Sequence, residues 1–205
     1  MGRARSFDDA KLLAGTAQLF RRLGYVATSL KDLERETGLK AGSLYNAFGN
    51  KKNVFLRSLD AYHLCVVRHR IRIYLPGVYP PEELTEFFTT TYTVEGLPNP
   101  GCLLTNAAAE IGADDPDIQK KIEEGFSLLR DAFASEVRAA RGQKLPTLAV
   151  SAETAAEYLL SAYQGLLIRV RSDAPAKTLD EIVRVAIRAI FPERIVPKKR
   201  RKPSR

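Results

Sequence analysis

Apolar residues recur every three or four positions along almost the whole chain, and this spacing constrains the fold more than any other feature. It is the period of one face of an α-helix, whereas the strict alternation of a half-buried strand is scarce. Glycines, prolines and capping residues divide the pattern into segments. We therefore predict an all-α protein of about nine helices. The predicted ranges are about 7–24, 28–38, 41–48, 51–75, 81–94, 102–110, 116–141, 151–171 and 178–191.

Capping residues support the first boundaries. Ser6 with Asp9, and Ser29 with Asp32, have the spacing of a capping box at the start of a helix. Gly24 and Gly38 are expected to end helices. The long helix over 51–75 is expected to be buried along one side and to pack Cys65 inside. That predicted side consists of Val54, Phe55, Leu59, Tyr62, Val66 and Ile73.

Residues 28–52 have the pattern of a helix-turn-helix, two short helices joined by a turn that contains glycine. In this motif the second helix lies in the major groove of DNA with its N-terminal residues nearest the bases. Gly42 and Ser43 are small enough for close approach. Tyr45, Lys51 and the Thr28 hydroxyl are expected at phosphates, and Asn46 at a base edge. The full set of expected DNA-contacting residues is Thr28, Lys40, Ala41, Gly42, Ser43, Tyr45, Asn46 and Lys51.

Charge is distributed unevenly along the chain, which carries +8 in total. Residues 1–58 carry +6 and residues 194–205 carry +7, whereas residues 59–193 carry −5. Basic clusters accompany polyanion binding, although a solvated basic face looks the same in sequence. We predict a DNA-binding domain over 1–50, a regulatory and dimerisation domain over 51–193, and a basic, mobile tail over 194–205.

The sequence offers no recognisable pattern for catalysis or metal binding. No paired carboxylates, nucleophile with a base, phosphate-binding loop or zinc-ligand spacing is present, so we expect no enzyme activity, no catalytic or metal site and no cofactor. Two cysteines do not make a disulfide framework. No apolar run is long enough to span a bilayer, and no secretory signal pattern follows the N-terminus. We expect a cytoplasmic protein without a membrane partner.

Residues 12–55 resemble the N-terminal domain of the TetR (tetracycline-repressor-like) family. The matching residues are Leu12-Leu13, Leu19-Phe20, Gly24-Tyr25, Thr28-Ser29, Leu33, Gly38-Leu39, Gly42-Ser43-Leu44-Tyr45, Phe48, Lys51 and Phe55. Gly15 departs from the family, which more often has a better helix former there. A glycine-linked helical hairpin in a bundle is the structural alternative.

The resemblance implies an all-α homodimer whose C-terminal helices form a ligand pocket and whose last two long helices pair with a partner copy. Both of these helices carry wide apolar stripes. We expect Leu159, Tyr163, Leu166 and Ile187 at the dimer interface. A thick monomeric core would explain the same stripes.

A mostly apolar cavity for a small molecule is expected within residues 81–171. Aromatic and aliphatic walls with a few hydroxyls are usual in such pockets. The expected lining residues are Phe87, Phe88, Tyr92, Leu103, Phe126, Leu129, Phe133, Tyr158 and Tyr163.

Cys102 opens a helix in the sequence Pro100-Gly101-Cys102-Leu103. This motif resembles a subgroup of the same family that includes electrophile- and hypochlorite-responsive repressors. A helix N-terminus favours the thiolate of a cysteine. The alternative is that Cys102 is a small buried hydrophobic residue.

These observations favour a repressor that binds double-stranded operator DNA as a homodimer and is released by an unidentified small-molecule effector. A redox or electrophile trigger at Cys102 is the alternative to ligand binding. Two other functional classes compete with this one. They are an enzyme and an interaction protein whose basic tail binds RNA or a membrane surface.

Overall fold

The computed structural model describes residues 9–93, 99–112 and 114–192, and within them it is all α-helical, as predicted. Nine helices lie in these ranges, and none of them is long and apolar enough to cross a membrane. The predicted cap at Ser6 and the tail over 194–205 lie outside the described residues. The helices are α1 (Asp9–Leu23), α2 (Leu30–Thr37), α3 (Ala41–Phe48), α4 (Lys51–Tyr74), α5 (Pro80–Thr89), α6 (Leu103–Glu110), α7 (Pro116–Gly142), α8 (Ala152–Arg171) and α9 (Ala176–Ile190).

The capping box predicted at the start of α2 is confirmed. The Ser29 hydroxyl accepts the N–H of Asp32 at 3.2 Å, and the Asp32 carboxylate accepts the N–H of Ser29 at 3.0 Å. Gly24 and Gly38 follow α1 and α2 with φ of 85° and 68°, a left-handed conformation that glycine adopts without strain.

The first three helices pack on the start of α4 around one small core. Phe20 of α1 and Phe55 of α4 meet edge to face with ring centroids 4.8 Å apart. The Thr16 and Ser58 hydroxyls share a buried hydrogen bond of 2.7 Å between the same two helices. Leu33 and Leu44 are fully buried and bring α2 and α3 to this core. The helix-turn-helix is therefore held on α1 and α4 as one unit.

The middle of α4 is a π-helical turn over His63–Arg68, between α-helical stretches over Lys51–Tyr62 and His69–Tyr74. A π turn takes one residue more than an α turn, so it rotates the residues that follow. Val67 is buried, whereas Ile73 is 49% exposed and Cys65 is exposed. The expectation that Ile73 and Cys65 pack inside is therefore wrong.

The predicted helix over 81–94 ends earlier, at Thr89. Three successive threonines, Thr89 to Thr91, return their hydroxyls to carbonyls of the same helix. Such side-chain bonds compete with the backbone ladder. The backbone continues in tight turns, with the N–H of Thr91 donating to Phe88 O at 3.2 Å.

The second part of the protein is built on the pairing of α7 with α8, against which α5 and α9 pack. Four aromatic rings from α5, α7 and α8 form its centre. Their centroids lie 5.0 to 6.4 Å apart, close enough for edge-to-face and tilted packing. These rings belong to Phe87, Phe88, Phe133 and Tyr163.

A buried carboxyl lies beneath the turn that joins α4 to α5. Glu136 of α7 is 1% exposed and lies beside Glu83, whose carboxylate accepts the N–H groups of Gly77, Val78 and Tyr79 at 2.8 to 3.0 Å. Burial, followed by the neighbouring Glu83, raises the pKa of Glu136 to about 8. The folded protein therefore keeps a proton on Glu136 at neutral pH.

This carboxyl makes the free energy of unfolding depend on pH. Both states bind the proton below pH 4.5, but between pH 4.5 and about 8 only the folded state does. Between these two values the free energy of unfolding therefore falls as pH rises, by up to about 1.4 kcal/mol for each pH unit. Glu136→Gln should flatten this fall in urea titrations over that range. The exposed Glu86→Gln variant should keep the wild-type slope, and an unchanged slope in Glu136→Gln would contradict the assignment.

Candidate DNA interface and effector cavity

The exposed side of α3, together with its N-cap residue, presents four of the expected DNA-contacting residues to solvent. Lys40, Gly42, Ser43 and Asn46 are exposed, while Ala41 is half-buried. On the opposite side Leu44 and Phe48 are buried in the core. The burial pattern therefore leaves a polar face of a rigidly packed helix available to a partner.

Two local features fit a close partner at this end of α3. The Ala41 N–H donates to the Glu34 carboxylate at 2.7 Å, which joins α3 to α2. A Cβ added at Gly42 would meet no atom within 4 Å, so the protein's own packing does not require glycine there. A missing side chain at an exposed helix start leaves room for another molecule to reach the backbone.

Thr28 lies elsewhere than expected. It is 1% exposed, and its hydroxyl donates to Gly24 O at 2.5 Å, which closes the turn between α1 and α2. The expectation that this hydroxyl faces DNA is wrong. A buried hydroxyl without a partner would cost free energy, so it donates to the nearest backbone carbonyl instead.

Lys51 and Tyr45 are both half-buried. The Lys51 ammonium donates to Val26 O at 3.1 Å and lies 4.8 Å above the Tyr25 ring. Burial lowers the pKa of Lys51, and Glu110 opposes that shift. Lys51 thus braces the α1–α2 connection as well as lying beside α3.

Polar contacts tie the DNA-binding end to α6 and α7. The Glu110 carboxylate of α6 accepts the N–H groups of Tyr25 and Val26 at 2.8 and 2.7 Å, just beyond α1. The Asn106 amide donates to Arg21 O at 3.0 Å. On the other side, Lys52 of α4 pairs with Asp115 at 2.9 Å and with Asp117 at 2.7 Å.

A cavity of about 720 Å³ lies between the C-terminal half of α1, the middle of α4, the start of α6 and the end of α8. Its volume is in the range of small-molecule sites. Its lining residues are Gln18, Arg21, Arg22, Tyr62, Val66, Arg70, Thr90, Thr91, Asn99, Pro100, Gly101, Cys102, Tyr163, Leu167 and Arg171.

Only Tyr163 of the nine expected pocket residues lines this cavity. Five others are core residues, Tyr158 is exposed, Phe126 borders a separate depression on α7, and the Tyr92 hydroxyl donates to Asp180 of α9 at 2.8 Å. The expected pocket is wrong because the aromatic rings pack on one another and fill their own space. The five core residues are Phe87, Phe88, Leu103, Leu129 and Phe133.

The arginines of the cavity were not predicted. Arg70 lies on the inward side of α4, where an arginine within an otherwise apolar stripe is the one signal that the sequence offers. Its guanidinium donates to Phe87 O at 2.6 Å and to the Thr90 hydroxyl at 3.1 Å. Arg21 donates to Gly101 O at 2.5 Å and to Asn99 Oδ1 at 2.6 Å.

Cys102 is buried, is the N-cap residue of α6 and lines the same cavity. Its thiol lies 3.5 Å from the Tyr62 hydroxyl, which donates to it. Burial, and then the neighbouring Cys102, raises the pKa of Tyr62 well above its usual value, so this phenol stays neutral.

The four residues expected at a dimer interface are core residues of the single chain. Leu159, Tyr163, Leu166 and Ile187 are 0 to 7% exposed, because they face α5, α7 and each other. That expectation is wrong for these residues. The exposed large apolar residues of the same two helices are Tyr158, Ile168 and Val185.

Three side chains suited to a metal ion come together on α4 and α7. Ligand atoms of Asp60, His63 and Glu124 lie within 4.8 Å of one another. The Lys121 ammonium pairs with Asp60 at 2.7 Å and with Glu124 at 3.0 Å, so a side-chain cation already contacts both carboxylates. Burial lowers the pKa of His63.

Comparison with known proteins covers both parts of the chain. Residues 12–57 match the bacterial regulatory proteins of the tetR family, and residues 82–186 match the tetracyclin repressor-like C-terminal domain. The HTH-type transcriptional repressor ComR of Escherichia coli (strain K12) is 29% identical over 94% of this chain and 92% of its own length. An HTH-type transcriptional regulator of Bacillus subtilis (strain 168), YezE, is 30% identical over 70% of this chain and 75% of its own length.

Solved structures agree on the fold. The TetR family regulator CifR, solved as a cysteine mutant complexed with 26-bp double-strand operator DNA, has a TM-score of 0.78 at 24% identity over 91% of this chain and 99% of its own. The reduced form of E. coli NemR has a TM-score of 0.77 at 17% identity, and the match covers 89% of this chain and 97% of NemR. The matched family consists of DNA-binding transcriptional regulators and not of enzymes. From its two matched domains and its fold, this chain belongs to the TetR family of bacterial regulators.

Proposed function

We propose that this chain is a cytoplasmic repressor that binds a palindromic operator as a homodimer and leaves it when a small molecule enters the cavity. The polar, exposed start of α3 on a rigid helical unit carries the proposal, because base recognition needs such a face in a fixed orientation. The relative ComR is named a repressor, and the structure of the neighbour CifR is a complex with operator DNA.

Lys40 is the clearest candidate for a phosphate contact, because it is exposed at the start of α3 and its side chain makes no capping bond. Lys40→Ala should weaken binding to all DNA sequences alike and reduce the salt slope by about one unit per protomer. Asn46→Ala should weaken operator binding more than random-DNA binding, since base contacts specify sequence. Fluorescence anisotropy at several salt concentrations measures both effects.

The exposed Lys120 of α7 provides a matched control. Lys120→Ala should leave both affinity and salt slope unchanged. Lys51→Ala and Tyr45→Phe test the two half-buried positions, with thermal stability measured in parallel because Lys51 also braces Val26. Unchanged operator affinity in the Lys40, Asn46 and Lys51 variants together would exclude this face as the DNA interface.

A dimer is needed to read a palindrome, since operator symmetry mirrors protein symmetry. The exposed face of α8 carries Tyr158, Ala162, Gly165 and Ile168 at helical spacing, and Val185 of α9 is also exposed. A Cβ at Gly165 would meet no atom of the chain within 4 Å. We place the partner copy on this face.

Gly165→Arg tests that interface without disturbing the single chain. Arginine is a better helix former than glycine, so the helix itself should be retained. The variant should be monomeric by light scattering with an unchanged circular dichroism spectrum. Gly142→Arg is the same change at the last residue of α7, where space is also open, and should stay dimeric. A dimeric Gly165→Arg variant would move the interface elsewhere.

The cavity is suited to control DNA binding because α1 contributes to its wall. A ligand releases DNA only if it binds a conformation with misplaced recognition helices more tightly than the DNA-bound one. Contacts of Arg21 with Gly101 and Asn99 would change when a ligand occupies the space between them. Movement of α1 would then carry the helix-turn-helix that packs on it.

A thiol trigger at Cys102 is the second candidate, because Gly101-Cys102-Leu103 resembles a motif of the electrophile-responsive subgroup and the thiol borders the cavity. Hypochlorite would oxidise the thiol to a sulfenic acid and be reduced to chloride. If this is the trigger, hypochlorite should release DNA from wild type and from Cys65→Ser but not from Cys102→Ser. We expect release from none of the three, which would leave ligand binding as the signal. Loss of the response only in Cys102→Ser would overturn that expectation.

A further inference from the structure

We infer that the effector is an organic anion, whose acidic group binds the guanidinium groups of Arg70 and Arg21 and whose apolar body lies against Tyr163 and Leu167. The inference rests on the proposed function, because it names the ligand class of the same cavity. Three observations support this inference. The cavity wall is positively charged, the Nε donor of Arg70 is unpaired, and the aromatic wall is neutral.

The cavity wall is strongly positive. Four arginines line it, and no Asp or Glu belongs to its lining within the described part of the chain. The four arginines are Arg21, Arg22, Arg70 and Arg171. Among the residues that the structure describes, none of the four has a carboxylate within 4.0 Å. Such clustered, unneutralised cations repel one another, so an anion between them is stabilised.

Arg70 is already oriented for such a ligand. Its guanidinium lies 4.8 Å from the Phe87 ring and 5.2 Å from the Tyr74 ring and donates to two oxygens of α5 and the turn after it. Its Nε is buried and has no hydrogen-bond partner. A buried donor left unpaired costs free energy that an incoming acceptor recovers. A guanidinium fixed in one orientation favours planar, bidentate acceptors.

Arg21 connects the same site with α1. Its guanidinium donates to Gly101 O and Asn99 Oδ1, which are neutral acceptors. A carboxylate or phosphate carries a full negative charge and can accept two guanidinium N–H groups at once, so it attracts Arg21 more strongly than these neutral oxygens do. An anion in the cavity therefore competes for Arg21 with the contacts that hold α1 against the start of α6.

The remaining wall accepts an apolar body without repelling the charge. Tyr62, Val66, Tyr163 and Leu167 contribute rings and aliphatic groups. Burial raises the pKa of Tyr62 and Tyr163, so both phenols are neutral at physiological pH. The Tyr62 hydroxyl donates to Cys102, which leaves the Tyr163 hydroxyl to contact a ligand. This combination discriminates against neutral apolar compounds, which would leave the arginine donors unpaired.

Matched probes test the charge requirement directly. 2-Naphthoate, 2-naphthyl phosphate and the neutral 2-naphthamide are titrated at up to millimolar concentration into wild type, Arg70→Gln, Arg21→Gln and Arg68→Gln by calorimetry. Arg68 is an exposed arginine of the same helix that does not line the cavity. We expect at least one anion to bind wild type and Arg68→Gln at least about tenfold more tightly than Arg70→Gln, and the amide not to bind. The stronger of the two anions distinguishes carboxylate from phosphate ligands.

Equal binding of the amide, equal losses in Arg68→Gln and Arg70→Gln, or no binding of either anion would overturn the inference. If Arg70→Gln does not fold by circular dichroism, Arg70→Lys and the exposed Arg171→Gln replace it, with the same expected order. Operator binding is measured on the same samples without probe. Absence of operator binding refutes the proposed function while anion binding still upholds the site. Anion binding that leaves the operator complex intact overturns the competition at Arg21.

Discussion

The position of the DNA-binding helices depends on how α6 holds the end of α1. The Glu110 carboxylate accepts two N–H groups that follow α1, and Asn106 donates to the last turn of that helix. Phe20 and Thr16 of α1 contact α4, which fixes these two helices relative to each other. The buried Leu33 and Leu44 pack α2 and α3 on the same core. Two of the three hydrogen bonds made by Glu110 and Asn106 are exposed to solvent, and each of the three contributes on the order of 1 kcal/mol. That sum is comparable with the coupling free energies by which ligands shift protein equilibria, so a small molecule is sufficient to change it.

Local rules made the first part of the chain predictable from sequence. The capping box of Ser29 and Asp32 and the glycine at 38 act over three or four residues, so their effects do not depend on the rest of the fold. The exposed face of α3 follows from the spacing of Leu44 and Phe48. Thr28 was placed wrongly because a hydroxyl beside a helix end has two possible partners, and sequence does not reveal that Gly24 O is nearer than solvent.

The cavity and the outer face of α8 could not be found in this way, because both depend on which helices meet. Aromatic residues indicate apolar space, but whether rings line a cavity or fill it is decided by helix packing, and here Phe87, Phe88 and Phe133 fill it. Arginines that come together from α1, α4 and α8 are up to 150 residues apart in sequence. Wide apolar stripes likewise do not distinguish a core from an interface. Leu166 lies in the core, while Ile168, two positions later, remains exposed.

The π-helical turn of α4 sets the rotational phase between the two ends of this helix. Phe55 and Ser58, before this turn, pack on α1 of the DNA-binding unit, and Arg70, after it, lines the cavity and donates to α5. One residue corresponds to about 100° of helix rotation. If the same residues were wound as a regular α-helix, those after the turn would be rotated by about this angle, and Arg70 would leave the cavity wall. Deletion of one residue would cancel that rotation, so the π turn and the length of the linking helix determine together which side chains of α4 face the cavity.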